Sequence, residues 1–211
     1  MRIVGGEWRG RRLMAPPGRA TRPTSDKVRE AVFDLLASLL AQRAADHGQG
    51  SGVEGLAGLR VADLYAGSGA LGLEALSRGA AHCTFVERSP VAAAALRRNL
   101  GALAVPAERA RLVVADAGPA LQADARRGVQ YTLLFADPPY ARYEAVQRAL
   151  RAALAPVLAP RAVVVVETAK GEAVELALSV ERVRVYGDTQ ITILVNRAEG
   201  GGSGEAPCRT E

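Results

Sequence analysis

From Arg60 onward the hydrophobic residues fall into short unbroken runs separated by longer stretches of helical spacing. Val61 to Tyr65, Thr84 to Glu87, Leu112 to Ala115, Leu133 to Ala136 and Val163 to Val166 are mostly apolar at successive positions, the pattern of strands covered on both faces. Leu71 to Ser77, the alanine-rich stretch through about Leu100, Pro119 to Arg127 and Glu144 to Leu154 read as the helices between them. This alternation predicts repeated βαβ units and a mostly parallel sheet. Val180 to Tyr186 and Gln190 to Val195 flank Gly187-Asp188, which predicts an antiparallel hairpin at one sheet edge.

The first sixty residues follow another plan. Ile3-Val4 and Arg12-Leu13 flank a glycine-containing segment and predict a small hairpin. Thr24 or Ser25 is placed to N-cap a helix whose apolar stripe is Val28, Ala31, Val32, Leu35 and Leu39. Residues 43–58 shift to Gly, Ala, Gln and Ser and read as a flexible connection, while 199–211 carry no large apolar residue and read as a disordered tail. The chain thus divides into a basic arm with its helix (1–42), the connection (43–58), a main α/β domain (59–198) and the tail.

Composition narrows this. A chain of 211 residues suits one main domain. Without an apolar run of membrane-spanning length or a signal-peptide stretch, it is expected to be soluble and cytoplasmic, with no membrane partner. Cys83 and Cys208 are its only cysteines, too far apart to suggest a disulfide framework or a metal site. The net charge is +5, and residues 1–30 hold eight basic against three acidic residues, so the whole excess lies there. A basic, glycine-containing arm that also carries Trp8 predicts contact with a polyanion such as nucleic acid.

Chemistry gathers at the predicted strand ends. Gly67-x-Gly69-x-x-Gly72 follows the first strand, and Glu87 stands twenty positions after Gly67, a spacing that fits a dinucleotide fingerprint and keeps an NAD-dependent oxidoreductase open. Asp63, inside the strand before the glycines, favours a cationic ligand over a pyrophosphate of its own sign. S-adenosyl-L-methionine (AdoMet), with an ammonium and a sulfonium, is such a ligand. Ala66, Gly67 and Gly69 would form its turn, Glu87 would accept the ribose hydroxyls, and Asp116 with the Ala117 amide would meet the adenine edge. The fourth strand ends in Asp137-Pro138-Pro139-Tyr140, where two prolines hold a carboxylate and a carbonyl in place beside an aromatic ring.

These stretches, with Gly5-Gly6-x-Trp8-Arg9-Gly10-Arg11, Arg22-Pro23-Thr24-x-Asp26-x-Val28-Arg29-Glu30, Leu73-Glu74-Ala75 and Tyr186-Gly187-Asp188-Thr189, resemble the RsmD-type bacterial 16S rRNA (guanine(966)-N2)-methyltransferases. The resemblance implies a class I AdoMet-dependent methyltransferase (Rossmann-like) fold, with a seven-stranded, mostly parallel sheet. It implies methylation of guanine 966 in 16S rRNA, within a partly or fully assembled small ribosomal subunit; separately, the chain is expected to be a monomer. Asp137 and the Pro138 carbonyl would hold the guanine amine, Tyr140 would stack on the splayed base, and no metal is called for. Arg9, Arg11, Arg12 and Arg22 would contact RNA phosphates, with Trp8 a stacking or a packing residue. Arg22, Thr24 and Arg29 would also close over the methionine end of the cofactor. Asp-Pro-Pro-Tyr is shared by amino-group methyltransferases broadly, so DNA adenine-N6 or protein-glutamine acceptors remain open beside guanine.

Overall fold

The computed structural model describes residues 1–16, 25–46, 55–139 and 143–197. Seven strands, β1 (Arg60–Leu64), β2 (His82–Val86), β3 (Ala110–Val113), β4 (Tyr131–Ala136), β5 (Leu158–Ala169), β6 (Ser179–Tyr186) and β7 (Thr189–Val195), form one sheet in the order β3-β2-β1-β4-β5-β7-β6. The first five positions are parallel, and β7 and β6 close one side antiparallel. The helices are α1 (Asp26–Asp46), α2 (Ala70–Ser77), α3 (Pro90–Ala102), α4 (Ala117–Arg126) and α5 (Tyr143–Ala153). No described helix is long and apolar enough to cross a membrane. The predicted fold class is therefore observed.

Period-two alternation sends each strand's side chains into two cores. Val61, Leu133, Phe135, Val163, Val165, Ile191 and Ile193 pack on one face with residues of α1, α2, α3 and the N-terminal hairpin. Ala62, Leu64, Leu134, Ala136, Val164, Val166 and Leu194 pack on the other with α4 and α5. β1 has β2 on one side and β4 on the other, and Leu64 lies opposite Ala136. The chain order reverses there, and crevices at the C-terminal ends of strands form at such switch points. The glycine turn and Asp137 both leave the sheet at that place.

Three expectations are corrected. The buried stripe of α1 is Arg29, Val32, Phe33, Leu36 and Leu39, rotated from the predicted one. Phe33 packs against Phe135 at 5.6 Å between centroids, and burial of the charged Arg29 is invisible to a hydrophobic pattern. Second, α1 runs on through Asp46, with Arg43 Nη1 donating to the Arg161 carbonyl at 3.0 Å, and Leu56 is buried with its amide bonded to the Arg78 carbonyl. The interval 43–58 is thus ordered at both ends, and 47–54 lie outside the described residues, as does the tail. Third, β3 stops at Val113, two residues short of the predicted Ala115, so Asp116 stands at the head of α4 and not directly at the strand's end.

Candidate active site

The turn after β1 is built by packing as much as by ligand chemistry. A Cβ on Gly69 would lie 2.3 Å from Leu96 Cδ1, and one on Gly72 would lie 2.3 Å from Phe85 Cε1 and 2.6 Å from Cys83 Sγ. These two glycines let α2 sit tightly on β2 and α3. Gly67 differs: at φ +56 its nearest neighbour would be the Tyr65 carbonyl at 3.9 Å, so open space lies before it. Tyr65 itself holds a left-handed φ of 62, strain of about 1–3 kcal/mol for a residue with a side chain. Burial first, then the neighbouring Asp116 carboxylate, push its phenol up to about 12.

The predicted acids separate into two kinds. Asp63 is 2% exposed beneath the turn, and its Oδ2 accepts the Gly72 amide at 2.9 Å. It holds the first turn of α2 from below, where the sequence led us to expect a carboxylate facing the ligand. Glu87 Oε2 accepts the Gly67 amide at 2.8 Å and Oε1 accepts the Ser89 amide at 2.6 Å, so it braces the turn from the end of β2. Asp116 adopts extended φ and ψ at the start of α4, yet its side chain makes no cap bond and is 65% exposed, with Arg88 Nη1 at 3.5 Å. Ala117, next in the chain, is buried. Ala66 is buried with its amide on the Val86 carbonyl.

Across the switch point, Asp137 follows β4 half-buried, Pro138 is buried and Pro139 is exposed. Tyr140 lies outside the described residues, as do Arg22 and Thr24. Ser25 caps α1, its Oγ accepting the Val28 amide at 3.2 Å. Because the far end of α1 meets the start of β5 through Arg43 and Arg161, the helix runs against the strands and its N-terminus faces the C-terminal ends of the parallel strands.

The basic arm is placed differently from expectation. A hairpin forms through an Arg2–Arg12 bridge, with the Ile3 amide on the Arg11 carbonyl. Trp8 is 7% exposed and packed, with the Arg109 guanidinium 5.8 Å from its ring centroid, which is the packing role of the two open to it. Arg29 is fully buried and donates to Asp26 Oδ1 at 2.9 Å and to the Arg2 carbonyl, with Glu74 Oε2 3.8 Å from its Nε. It is thus ion-paired with the neighbouring Asp26 inside the protein, where the expectation had it closing over the methionine end of the cofactor. Arg11 Nη2 donates to the Ala102 carbonyl at 2.6 Å, tying the hairpin to the end of α3. Arg9 and Arg12 are exposed.

Sequence reasoning passed over the residues that fasten this arm. Glu74, fully buried on α2, accepts the Val4 amide at 2.8 Å, the Gly5 amide at 2.7 Å and Arg78 Nε at 2.8 Å. Asn99 Nδ2 donates to the carbonyls of Met14 and Ser68 while its Oδ1 accepts the Met14 amide, linking the hairpin's exit to the glycine turn. An acid at an apolar-flanked helix position was the available signal for Glu74; nothing local marks Asn99.

Known proteins resemble this chain in sequence and in fold. The family described as Conserved hypothetical protein 95 matches residues 1–195. Escherichia coli (strain K12) ribosomal RNA small subunit methyltransferase D is 39% identical over 142 residues, a stretch covering 67% of this chain and 61% of that protein's length. A solved Escherichia coli structure, that of yhhF, superposes with a TM-score of 0.72 at 34% identity, covering 94% of this chain and 99% of its own. A solved structure described as a methyltransferase complexed with SAH shares the fold alone, at 18% identity and a TM-score of 0.56 over 74% of this chain and 49% of its own. With residues 1–195 matched by that family and 39% identity to a ribosomal RNA small subunit methyltransferase D, the chain belongs to the RsmD-type methyltransferase family.

Proposed function

We propose that this protein transfers a methyl group from AdoMet to the exocyclic N2 amine of a guanine, guanine 966 of 16S rRNA, in the small ribosomal subunit. The observation that carries the reading is the position of Asp137 and Pro138: a half-buried carboxylate and a buried proline at the end of β4, one strand from the turn that ends β1. The residues of that turn fit the cofactor. Gly67 leaves room before it, Glu87 retains acceptor capacity beyond its two backbone bonds, and Asp116 presents an uncapped carboxylate two strands away. AdoMet, when bound, supplies an electrophilic methyl on a cationic sulfonium.

Guanine's N2 is a poor nucleophile because its lone pair is delocalised into the ring. The Asp137 carboxylate and the Pro138 carbonyl accept its two N–H bonds, which favours the pyramidal amine and stabilises the positive charge that develops on nitrogen. The extra proton on the methylated amine passes to Asp137 or to water. Tyr140 stacks on the base. Asp63 and Glu87 act by holding the turn in shape.

Asp137→Ala tests this with tritiated AdoMet and small subunits lacking the modification. Turnover should fall by about 10²–10³, the usual consequence of losing one preorganised partner of a transition-state charge. The AdoMet dissociation constant should stay within about threefold, a bound set by Asp137 lying outside the cofactor turn. Near-normal turnover with intact AdoMet binding overturns the mechanism, and nucleoside digestion showing a product other than N2-methylguanosine overturns the acceptor.

A further inference from the structure

β5 departs from its own pattern at Glu167. Val163, Val164, Val165 and Val166 are buried, and Glu167 follows them at 5% exposure, a carboxylate where the strand would otherwise bury a fifth apolar side chain. Glu167 makes contacts within the protein, and the register gives its place relative to Asp137. Ala136 pairs with Val166, and continuing the parallel ladder by one residue sets Asp137 beside Glu167, with about 4.8 Å between neighbouring strands. On its other side Glu167 pairs with Ile191, whose side chain lies in the same core as those of Phe135 and Val165. Alternation therefore places Asp137 and Glu167 on one face of the sheet, at its catalytic edge.

We propose that Glu167 selects the base: its carboxylate accepts the N1–H of the target guanine while Asp137 and the Pro138 carbonyl hold the N2 amine. The assignment rests on the guanine-N2 reading above and extends it to what that reading leaves open, since the Asp-Pro-Pro-Tyr segment recognises an amine and not the ring that carries it. The guanine edge offers adjacent donors at N1 and N2. The adenine edge offers an amine beside an unprotonated N1, whose lone pair faces a second carboxylate unfavourably. A site built to hydrogen-bond a given group rejects analogues lacking it far more strongly than an apolar pocket does. A carboxylate has about four lone-pair sites, so Glu167 serves the base alongside its contacts within the protein. The bond to N1–H also shifts electron density toward the ring and thus toward N2.

The test uses reconstituted small subunits carrying guanine or 2-aminopurine at the target nucleotide; 2-aminopurine keeps the 2-amine but has an unprotonated N1. Single-turnover rates are measured for the wild type, Glu167→Gln and Glu167→Asp, with AdoMet affinity as a control of folding. The wild type should prefer guanine by about 10²-fold or more, as a site that loses a designed hydrogen bond does. Glu167→Gln, whose amide can donate to the unprotonated N1, should bring that ratio to within about tenfold, while Glu167→Asp should keep the preference at a reduced rate. A Gln variant that slows both substrates equally, or keeps the wild-type ratio, overturns the assignment and leaves guanine-N2 methylation standing. A wild type that leaves guanine N2 unmethylated removes both. If the Gln variant loses AdoMet binding, the Asp variant decides: loss of guanine preference there overturns the proposal, and its retention supports it.

Discussion

Burial lifts the Asp63 carboxyl from its ordinary 3.8 to about 7, against the pull of the Gly72 amide bond and with some help from the Glu87 charge. The same burial pushes the neighbouring Cys83 thiol well above its usual range. A folded-state value above the unfolded one means that the native protein holds a proton that the unfolded chain has released between about pH 4 and 7. Asp63 therefore contributes stability that is fully present below about pH 4 and is lost as pH rises through about 7, an effect on the order of 4 kcal/mol. Asp63→Asn keeps an acceptor for the Gly72 amide and cannot ionise. Denaturant midpoints measured from pH 4 to 8 should show the variant gaining on the wild type up to about pH 7 and holding a constant lead above it. Parallel curves would show that Asp63 ionises normally under the turn. Sequence alone located this acid but not its bond to the Gly72 amide, because a strand pattern does not tell which backbone donor an included carboxylate meets.

At the scale of elements, α2 organises the N-terminal half. Its eight residues are nearly all buried, and they hold the hairpin through Glu74 at mid-helix and Ser77 at the end, where Ser77 Oγ accepts the Trp8 amide and donates to the Gly5 carbonyl. Glu74→Gln replaces one acceptor oxygen with a donor that faces backbone N–H groups and removes the charge opposite Arg29 and Arg78. Breaking a buried, multiply bonded ion pair costs about 3–5 kcal/mol. The chain has a single tryptophan, so emission from Trp8 reports the hairpin directly. The variant should show a lowered urea midpoint and a red shift of that emission below the main unfolding transition. A cooperative transition at the wild-type midpoint would mean that the hairpin is held by its apolar contacts alone. The elements from β1 onward were legible from periodicity because buried parallel strands announce themselves as continuous apolar runs. The rotation of α1 and the burial of Trp8 were not, since both depend on polar partners far away in the sequence.

For the whole molecule, the question is where RNA would lie relative to the catalytic edge. The hairpin's two ends touch the glycine turn, Met1 through Ser68 Oγ and Met14 through Asn99, while its tip reaches Ser77 at the far end of α2. That helix is about 12 Å long, so Arg9 stands roughly that far from the site, too remote to read the target base. The described basic residues of the hairpin are thus suited to grip phosphates at a distance, with base selection assigned to the strand ends by the proposal above. Arg11 is engaged with α3, whereas Arg9 and Arg12 are exposed positions of the hairpin where charge can be tested apart from that contact. Reversing both to Glu should weaken RNA binding and lower the slope of log affinity against log salt by about 1 for each phosphate no longer neutralised. Turnover at saturating subunit and the affinity for AdoMet should both hold at wild-type values, because neither residue touches the turn or Asp137. An unchanged salt slope would move the RNA surface off the hairpin, and a fall in turnover at saturation would give the arm a part in positioning the base.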